Sequence, residues 1–254
     1  MPSGRYIPLS PPRRMVCDLL EFAMQVPTIP VQRRMNLAPV LAARAQAVPR
    51  PSWVSCFIKA YAVVCQERPE LRRAYLEFPW PHLYEHPINV ASVAVEREYK
   101  GETVVFISRL RQPDAMSLKD VDDRLRYYKE SPIEEVGVFK RALLISRLPK
   151  PLRHLCWWVA LNFAGRKRAR WVGTYGVSIY SSLGAASLHP HSVLTTTLNY
   201  GVIEADGTVD VRLIYDHRVM DGSTVARALV HLEEVLNTQI AEELRQWPTK
   251  AEAA

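Results

Sequence analysis

Apolar and polar positions along this chain follow a helical period in some segments and a strand period in others. Apolar residues recur at helical spacing from Arg13 to Met24, and Pro27 ends this pattern, which predicts a first helix. Ile29 to Leu37 alternates like a strand, and Ala38 to Ala47 predicts a second helix closed by a proline. The chain therefore begins helix, strand, helix.

Two further helices carry recognisable start signals. Ser52 can cap a helix that runs from Trp53 to about Val64 and is apolar on nearly every face, so we expect it in the core. Ser117, with Asp120 three residues later, resembles a capping box and predicts a helix to about Glu130.

The remaining strands fall into an early pair and a late group. Ile88 to Glu96 and Thr103 to Ser108 predict a hairpin that turns through Lys100 and Gly101. Helical segments rich in Leu, Trp and Arg follow Pro132. Later strands and the last helix are predicted at Gly173 to Tyr180, Val193 to Ile203, Val209 to Tyr215, and after Gly222.

The irregular alternation of strands and helices, with hairpins, predicts an α/β or α+β fold in which helices pack against a mixed sheet. No repeat and no linker divides the chain, so we predict a single domain over residues 1–254. With 254 residues, 48% hydrophobic and 23% charged, the composition excludes disordered and fibrous classes.

The apolar runs Trp53 to Cys65 and Leu152 to Phe163 are shorter than the roughly 20 residues of a membrane-spanning helix. Residues 1–12 lack the apolar core of a secretory signal, so we expect a cytoplasmic protein. The four cysteines lie far apart, which argues against zinc and disulfides and predicts buried thiols.

The net charge of +7 is concentrated in one segment. Residues 140–172 contain nine Lys or Arg and no Asp or Glu. Such a basic field attracts anionic partners, whether phosphates, an acidic protein or a lipid surface.

The segment from Tyr215 to Gly222 is the most informative in the chain. Its sequence, Asp-His-Arg-Val-Met-Asp-Gly after Tyr215, leaves a strand and enters a helix, with His217 between charged neighbours. A neutral imidazole there can accept a proton from a thiol or hydroxyl, which is the geometry of a general base. From the spacing alone, a structural histidine satisfied by local hydrogen bonds is the favoured alternative.

This motif resembles the active-site signature of dihydrolipoamide acyltransferase catalytic domains, the cores of 2-oxo acid dehydrogenase complexes, which share a fold with chloramphenicol acetyltransferase. Gly173-Thr174-Tyr175-Gly176-Val177-Ser178 through Gly184 is similar to the Gly-Thr-Phe-Thr-Ile-Ser strand and turn of that family. The N-terminal Ile-Pro-Leu-Ser at residues 7–10 and the Phe-Ile-Lys-Ala at 57–60 extend the resemblance over about residues 5–240.

The resemblance implies a chloramphenicol acetyltransferase-like mixed β-sheet flanked by helices, and acyl transfer from a thioester to a thiol or another acceptor. His217 would be the base, and a serine hydroxyl would stabilise the oxyanion. Ser178 fits that serine by spacing, and Ser181 is a competitor because Ser-Ser-Leu-Gly at 181–184 also resembles the turn of the family. Asp221 would orient the site, paired with Arg218, Arg13 or Arg14, or would only cap the helix.

The resemblance also implies a homotrimer, with His217 of one copy meeting the serine of the next in a shared channel. No segment resembles a lipoyl domain, so we expect no covalent lipoyl group on this chain. A stand-alone acyltransferase using coenzyme A thioesters is therefore the leading hypothesis. A non-catalytic trimeric scaffold, and a dehydrogenase core served by lipoyl domains in trans, are the alternatives.

Residues 148–171 form a basic, aromatic insertion relative to the family. Three uses are open for it: binding the phosphates of coenzyme A, docking an acidic acyl carrier protein, or lying on an anionic membrane. The phosphate hypothesis rests on Arg166, Lys167, Arg168 and Arg170. Simple packing of the aromatic residues with solvated charges is the alternative; we expect neither nucleic acid binding nor a metal at His189 and His191.

Overall fold

The computed structural model describes residues 3–162, 165–180 and 183–248. Its α-helices are α1 (Pro11–Ala23), α2 (Ala38–Gln46), α3 (Trp53–Glu67), α4 (Leu118–Glu130), α5 (Gly137–Ser146), α6 (Lys150–Asn162), α7 (Gly165–Trp171), α8 (Gly222–Val235) and α9 (Ala241–Arg245). Its strands are β1 (Thr28–Asn36), β2 (Arg73–Leu76), β3 (His82–Glu85), β4 (Val90–Tyr99), β5 (Glu102–Arg111), β6 (Tyr175–Val177), β7 (Thr196–Tyr200) and β8 (Thr208–Asp216).

Six strands form one mixed sheet in the order β1-β8-β7-β6-β4-β5, while β2 and β3 form a separate antiparallel pair. Strand β6 runs parallel to both of its neighbours, β4 and β7. The pairs β1–β8, β7–β8 and β4–β5 are antiparallel. The predicted mixed sheet with flanking helices is therefore confirmed.

Helix α3 packs on the sheet and is buried along most of its length, as its uniformly apolar sequence predicts. The Ser52 hydroxyl caps it by accepting the Ser55 N–H at 3.1 Å. Tyr61 donates its hydroxyl to Thr196 Oγ1 at 2.8 Å, and Tyr175 donates to the Ile58 carbonyl at 2.9 Å. These bonds tie the helix to strands β6 and β7, because buried polar groups are costly unless they are paired.

The predicted start signals and turns are also present. Ser117 accepts the Asp120 N–H at 3.1 Å at the start of α4. The β4–β5 hairpin turns through Lys100 and Gly101, whose φ angles are 53° and 77°. The apolar stripe of α8 is buried, as its spacing predicts, at Val225, Ala228, Leu229, Leu232 and Val235.

Helix α6, which lies in the basic segment, is held against α1 by a buried ion pair. Arg153 donates from Nε to Asp18 Oδ2 at 2.6 Å and from Nη2 to Asp18 Oδ1 at 3.0 Å. The Asp18 side chain is 1% exposed. Ala23 of α1 and Ala160 of α6 also belong to a small second core with Val172, Val193 and Leu194.

Two features depart from the sequence predictions. Residues 82–85, for which the sequence pattern predicted no strand, form strand β3, which pairs with β2 and places His82 opposite Leu76. Cys56 and Cys65 are buried, but Cys17 is half-buried and Cys156 is exposed on α6. Among the described residues, no helix has the length and apolar character needed to span a membrane.

Candidate active site

His217 lies in the turn that connects the end of β8 to the start of α8. The strand side of this turn is anchored by two backbone hydrogen bonds. The Asp216 N–H donates to the Thr195 carbonyl at 2.9 Å, and the His217 N–H donates to the Pro27 carbonyl at 3.1 Å. The imidazole is thus presented from a fixed backbone at the end of the sheet.

Asp216 and Arg218, on either side of His217, form a forked ion pair. Arg218 donates from Nε to Asp216 Oδ1 at 2.9 Å and from Nη2 to Asp216 Oδ2 at 2.8 Å. The Arg218 guanidinium also stacks over the Tyr75 ring, 4.3 Å from its centroid. Since both members are satisfied by each other, they shape the turn and leave the imidazole between them unpaired with either.

The His217 ring has a defined hydrogen-bond partner on one nitrogen. Nδ1 lies 3.1 Å from the Met220 carbonyl oxygen. A carbonyl can only accept, so this bond places the proton on Nδ1 and leaves the Nε2 lone pair available. The side chain is 43% exposed, so an incoming group can reach it.

Asp221 is the residue before the first residue of α8, and its carboxylate does not cap the helix. The side chain is 84% exposed, and Oδ1 lies 3.7 Å from His217 Nδ1. None of the predicted arginines reaches it. Arg218 pairs with Asp216, Arg13 with Glu102 at 3.5 Å, and Arg14 donates to the Leu9 carbonyl.

Ser178 directly follows β6 and is half-buried. Its N–H donates to the Leu198 carbonyl at 3.1 Å, and its carbonyl accepts from the Asn199 side chain. Its hydroxyl has no hydrogen-bond partner among the residues that the structure describes. Ser181, the competing candidate, lies outside the described residues.

The strand register separates Ser178 from His217 within one chain. Val177 pairs with Leu198, and Leu198 pairs with Leu213, so Ser178 lies level with Asn199 and Arg212. His217 follows Arg212 by five residues, which corresponds to roughly 16 Å along the strands at about 3.3 Å per residue. One chain alone does not bring the two predicted catalytic groups together.

The loop between β6 and β7 returns to the end of the sheet that carries His217. His189 Nε2 lies 2.7 Å from Thr28 Oγ1, and Thr28 is opposite Asp216 in the β1–β8 pair. The His189 and His191 rings are 5.6 Å apart. No group of three or more potential metal ligands occurs in the part of the chain that the structure describes.

The four basic residues predicted to bind phosphates do not share one environment. Lys167 and Arg170 are exposed on α7, and Lys167 lies 6.0 Å from the Trp171 ring centroid. Arg168 is 6% exposed and donates from Nη2 to the Val193 carbonyl at 2.9 Å. The side chain of Arg166 lies outside the described part of the structure. Successive positions of a helix point in different directions, and which direction is buried depends on tertiary packing. The sequence therefore did not show which of these basic residues faces the interior.

The segment around α5 and α6 also exposes several large apolar side chains: Leu144, Leu148, Leu152, Leu155 and Trp158. Lys150 on the same surface is paired with Glu21 at 2.7 Å. Acyl carrier protein docking and membrane binding by residues 148–171 stay predictions.

Comparison with known proteins finds chains that are similar in structure and none that is similar in sequence. No family model and no curated protein matches the chain. A probable dihydrolipoamide acetyltransferase from Listeria monocytogenes matches with a TM-score of 0.66 at 15% identity, covering 97% of both chains. The dihydrolipoamide acetyltransferase of Azotobacter vinelandii matches with a TM-score of 0.66 at 16% identity, covering 94% of this chain and 93% of that one.

A chloramphenicol acetyltransferase matches with a TM-score of 0.52 at 14% identity, covering 87% of this chain and 94% of that one. Matches at such low sequence identity over nearly whole chains establish a shared fold and do not by themselves establish a shared function. They agree with the resemblance found in the sequence motifs. The chain therefore has the fold shared by dihydrolipoamide acetyltransferase catalytic cores and chloramphenicol acetyltransferase.

Proposed function

We propose that this protein is an acyltransferase that moves an acyl group from a thioester, acyl-CoA or an acylated carrier protein, to a thiol or hydroxyl acceptor. His217 is its general base. One observation carries the proposal: Nδ1 donates to the Met220 carbonyl, which leaves Nε2 as a proton acceptor on a partly exposed ring. The shared fold with acetyltransferases supports the same reaction class.

The reaction begins with proton transfer from the acceptor to Nε2 of His217. A free thiol of pKa about 8.5 is only a few per cent ionised at neutral pH, so a base within hydrogen-bond reach raises the thiolate concentration at the site. The thiolate attacks the thioester carbonyl and forms a tetrahedral oxyanion. When that intermediate collapses, the leaving thiolate takes the proton back from Nε2.

We propose Ser178 as the donor to the oxyanion, contributed by a second copy of the chain. Its backbone is fixed by Leu198 and Asn199, while its hydroxyl is unused among the described residues. Because roughly 16 Å of strand separates Ser178 from His217 within one chain, a neighbouring copy must bring the serine to the imidazole. This requirement supports the predicted homotrimer.

The position of Asp221 suits it to assist His217 at the same site. The catalytic mechanism of the Azotobacter enzyme has been examined through a serine, a histidine and an asparagine that follows the histidine by four residues. Asp221 follows His217 at the same spacing, and its Oδ1 lies 3.7 Å from Nδ1. The carboxylate is placed to stabilise the imidazolium that forms during the reaction.

Coenzyme A is the thioester carrier that we propose as substrate. Its phosphates need exposed cations, and Lys167 and Arg170 on α7 are exposed. Arg168 is excluded from such a surface role by its burial.

The test is thioester exchange between acetyl-CoA and small thiols, including dihydrolipoamide, followed by release of free CoA. His217→Ala should lower kcat by a factor of order 10² to 10⁴ while the oligomer stays intact. His191→Ala is the matched control, since His191 is an exposed histidine of the adjacent loop. It should retain wild-type activity.

Full activity of His217→Ala would reject the base assignment. Transfer to dihydrolipoamide but to no other thiol would indicate a dehydrogenase core served by lipoyl domains on another chain. An intact oligomer without transfer from any acyl-CoA or acyl carrier protein would favour the scaffold.

A further inference from the structure

A small cleft of about 60 Å³ lies beside the His217 turn, between α1, β2 and the basic segment. Its polar walls are formed by Gln25, Glu77, Asn162, Arg168 and Arg218. Its apolar walls include Phe22, Val26 and Leu161. The cleft has the volume of a few heavy atoms, since one water occupies about 30 Å³ in the liquid.

Arg168 is the buried cation of this cleft. It is 6% exposed, its Nη2 donates to the Val193 carbonyl, and its Nε is buried with no hydrogen-bond partner among the described residues. Burial lowers the pKa of Arg168 to about 10, with Asp216 opposing that shift and Arg218 adding to it. A guanidinium held in the interior by one carbonyl is costly unless an anion compensates it.

Two further basic side chains, Arg72 and His86, lie near Arg168 and offer it no negative charge. Arg72 is 8% exposed, and its Nη1 contacts the Gln66 side chain and the Pro87 carbonyl only at 3.4 Å each. His86 is 1% exposed, and neither ring nitrogen has a partner among the described residues. No carboxylate of the described chain forms an ion pair with Arg168 or Arg72.

Within the described chain, the carboxylates near the cleft form no ion pair with Arg168. Asp216, which acts electrostatically on Arg168, already accepts both forked hydrogen bonds of Arg218. Glu77 is exposed and forms no ion pair within the described residues. Glu77 is therefore a carboxylate on the cleft wall that would compete with a bound anion for Arg168, which is buried inside the cleft.

The cleft adjoins the proposed base through the backbone. Val26 lines it and precedes Pro27, whose carbonyl accepts the His217 N–H at 3.1 Å. Arg218, which also lines the cleft, directly follows His217. The cleft therefore shares part of its wall with the turn that presents the imidazole.

We propose that this cleft is a subsite for a carboxylate carried by one of the two substrates, with Arg168 as its buried cationic partner. A carboxylate matches the guanidinium in shape and charge and fits the volume of the cleft. That the carboxylate belongs to a substrate rests on the proposed acyltransferase function. The acyl group and the acceptor are the two sources that the experiment separates.

Binding is measured first, without turnover, by calorimetric titration of succinate into the intact protein. Succinamide, the neutral isostere, is the reference ligand, and His217→Ala is titrated alongside the wild type. Succinate should bind both proteins equally well and at least about tenfold more tightly than succinamide, which corresponds to about 1.4 kcal/mol. Equal affinity for the two ligands overturns the proposal.

Two variants test the residues. Arg168→Gln should weaken succinate binding by about tenfold or more, and Glu77→Gln should tighten it because a competing carboxylate is removed. Arg227→Gln is the control, because Arg227 is an exposed arginine on α8 that does not line the cleft. If Arg168→Gln does not fold, as judged by circular dichroism, the exposed Glu77→Gln variant decides. Unchanged affinity in Glu77→Gln and in a folded Arg168→Gln overturns the proposal.

Turnover then identifies the source of the carboxylate. Higher kcat/KM for succinyl-CoA than for acetyl-CoA, raised further by Glu77→Gln, assigns it to the acyl group. A preference for 3-mercaptopropionate over 2-mercaptoethanol as acceptor assigns it to the acceptor. No preference in either comparison, with transfer intact, rejects the substrate subsite. Succinate binding without any acyl transfer would support the carboxylate-binding cleft and reject the acyltransferase function.

Discussion

Ser178 and His217 follow two strands of one sheet, β6 and β8, that are separated by β7 and run in opposite directions. Ser178 follows the carboxyl end of β6, level with Arg212, and His217 follows the carboxyl end of β8, five residues beyond Arg212. Because β7 and β8 are antiparallel, the two carboxyl ends point in opposite directions along the sheet. An active site that uses both groups must be shared between copies of the chain.

A shared site predicts complementation between two inactive variants. Ser178→Ala and His217→Ala homo-oligomers should each lose most activity. Mixed oligomers formed at equal ratio should recover up to about one quarter of wild-type activity, because that fraction of interfaces joins an intact histidine to an intact serine. The measurement is the initial rate of thioester exchange after co-refolding.

If both groups acted within one chain, the mixture would recover nothing above the mean of the two variants. Mixing either variant with itself controls for losses during refolding.

The buried pair between α1 and α6 should be important for stability. Asp18→Asn leaves the Arg153 guanidinium, with only 9% of its side chain exposed, without its carboxylate. Such a loss costs about 3 kcal/mol of unfolding free energy. The midpoint of urea denaturation should therefore move to a clearly lower urea concentration. Asp123→Asn, at the exposed pair with Lys119, should leave the midpoint almost unchanged.

His86 should make the fold sensitive to mild acid. Burial, together with Arg168 and Arg72, lowers the pKa of His86 to about 4. In the unfolded chain His86 is protonated below about pH 6.5, whereas in the folded chain it stays neutral until the pH falls to about 4. Its contribution to the free energy of unfolding is therefore fully present above about pH 6.5 and is lost as the pH falls toward 4. The loss should reach about 3 kcal/mol.

The measurement is the difference in unfolding free energy between pH 7.5 and pH 4.5, for the wild type and for His86→Phe. The variant should show a smaller difference, because only the carboxylates shared by both proteins then titrate. Identical pH dependence of the two proteins would contradict the assignment.

Gly173 should tolerate no side chain. Its φ angle is +105°, and an added Cβ would collide with the Ser92 hydroxyl, which donates to the Val172 carbonyl. Gly173→Ala therefore combines backbone strain with a clash at the start of β6, and we expect a loss of about 2 kcal/mol or more. Gly137→Ala is the control, because Gly137 is the first residue of α5 and an added Cβ there meets open space, so this change should be neutral or slightly stabilising. The measurement is the thermal unfolding of both variants against the wild type.

Local patterns in the sequence sufficed for most elements and for the position of the candidate base. The capping serines at 52 and 117, the buried stripe of α8 and the strand-to-helix turn around His217 all depend on neighbours within a few residues. Interactions over such short separations are encoded directly in residue spacing.

The β2–β3 pair, the Asp18–Arg153 bond and the inward direction of Arg168 were not predictable in this way. Asp18 and Arg153 are 135 positions apart, and nothing in the spacing around either residue specifies the other. Arg168 looked like Lys167 and Arg170 because all three are basic, and only the packing of α7 against Val193 separates them.

The sequence by itself determined the class of fold, the helix caps and the histidine motif, because periodicity and local hydrogen bonding act between near neighbours. Only the tertiary structure decided that Ser178 and His217 are apart and that Arg168 is buried beside a cleft. Strand register and helix packing join residues that are distant in the chain, and their geometry follows from the packing of the whole domain.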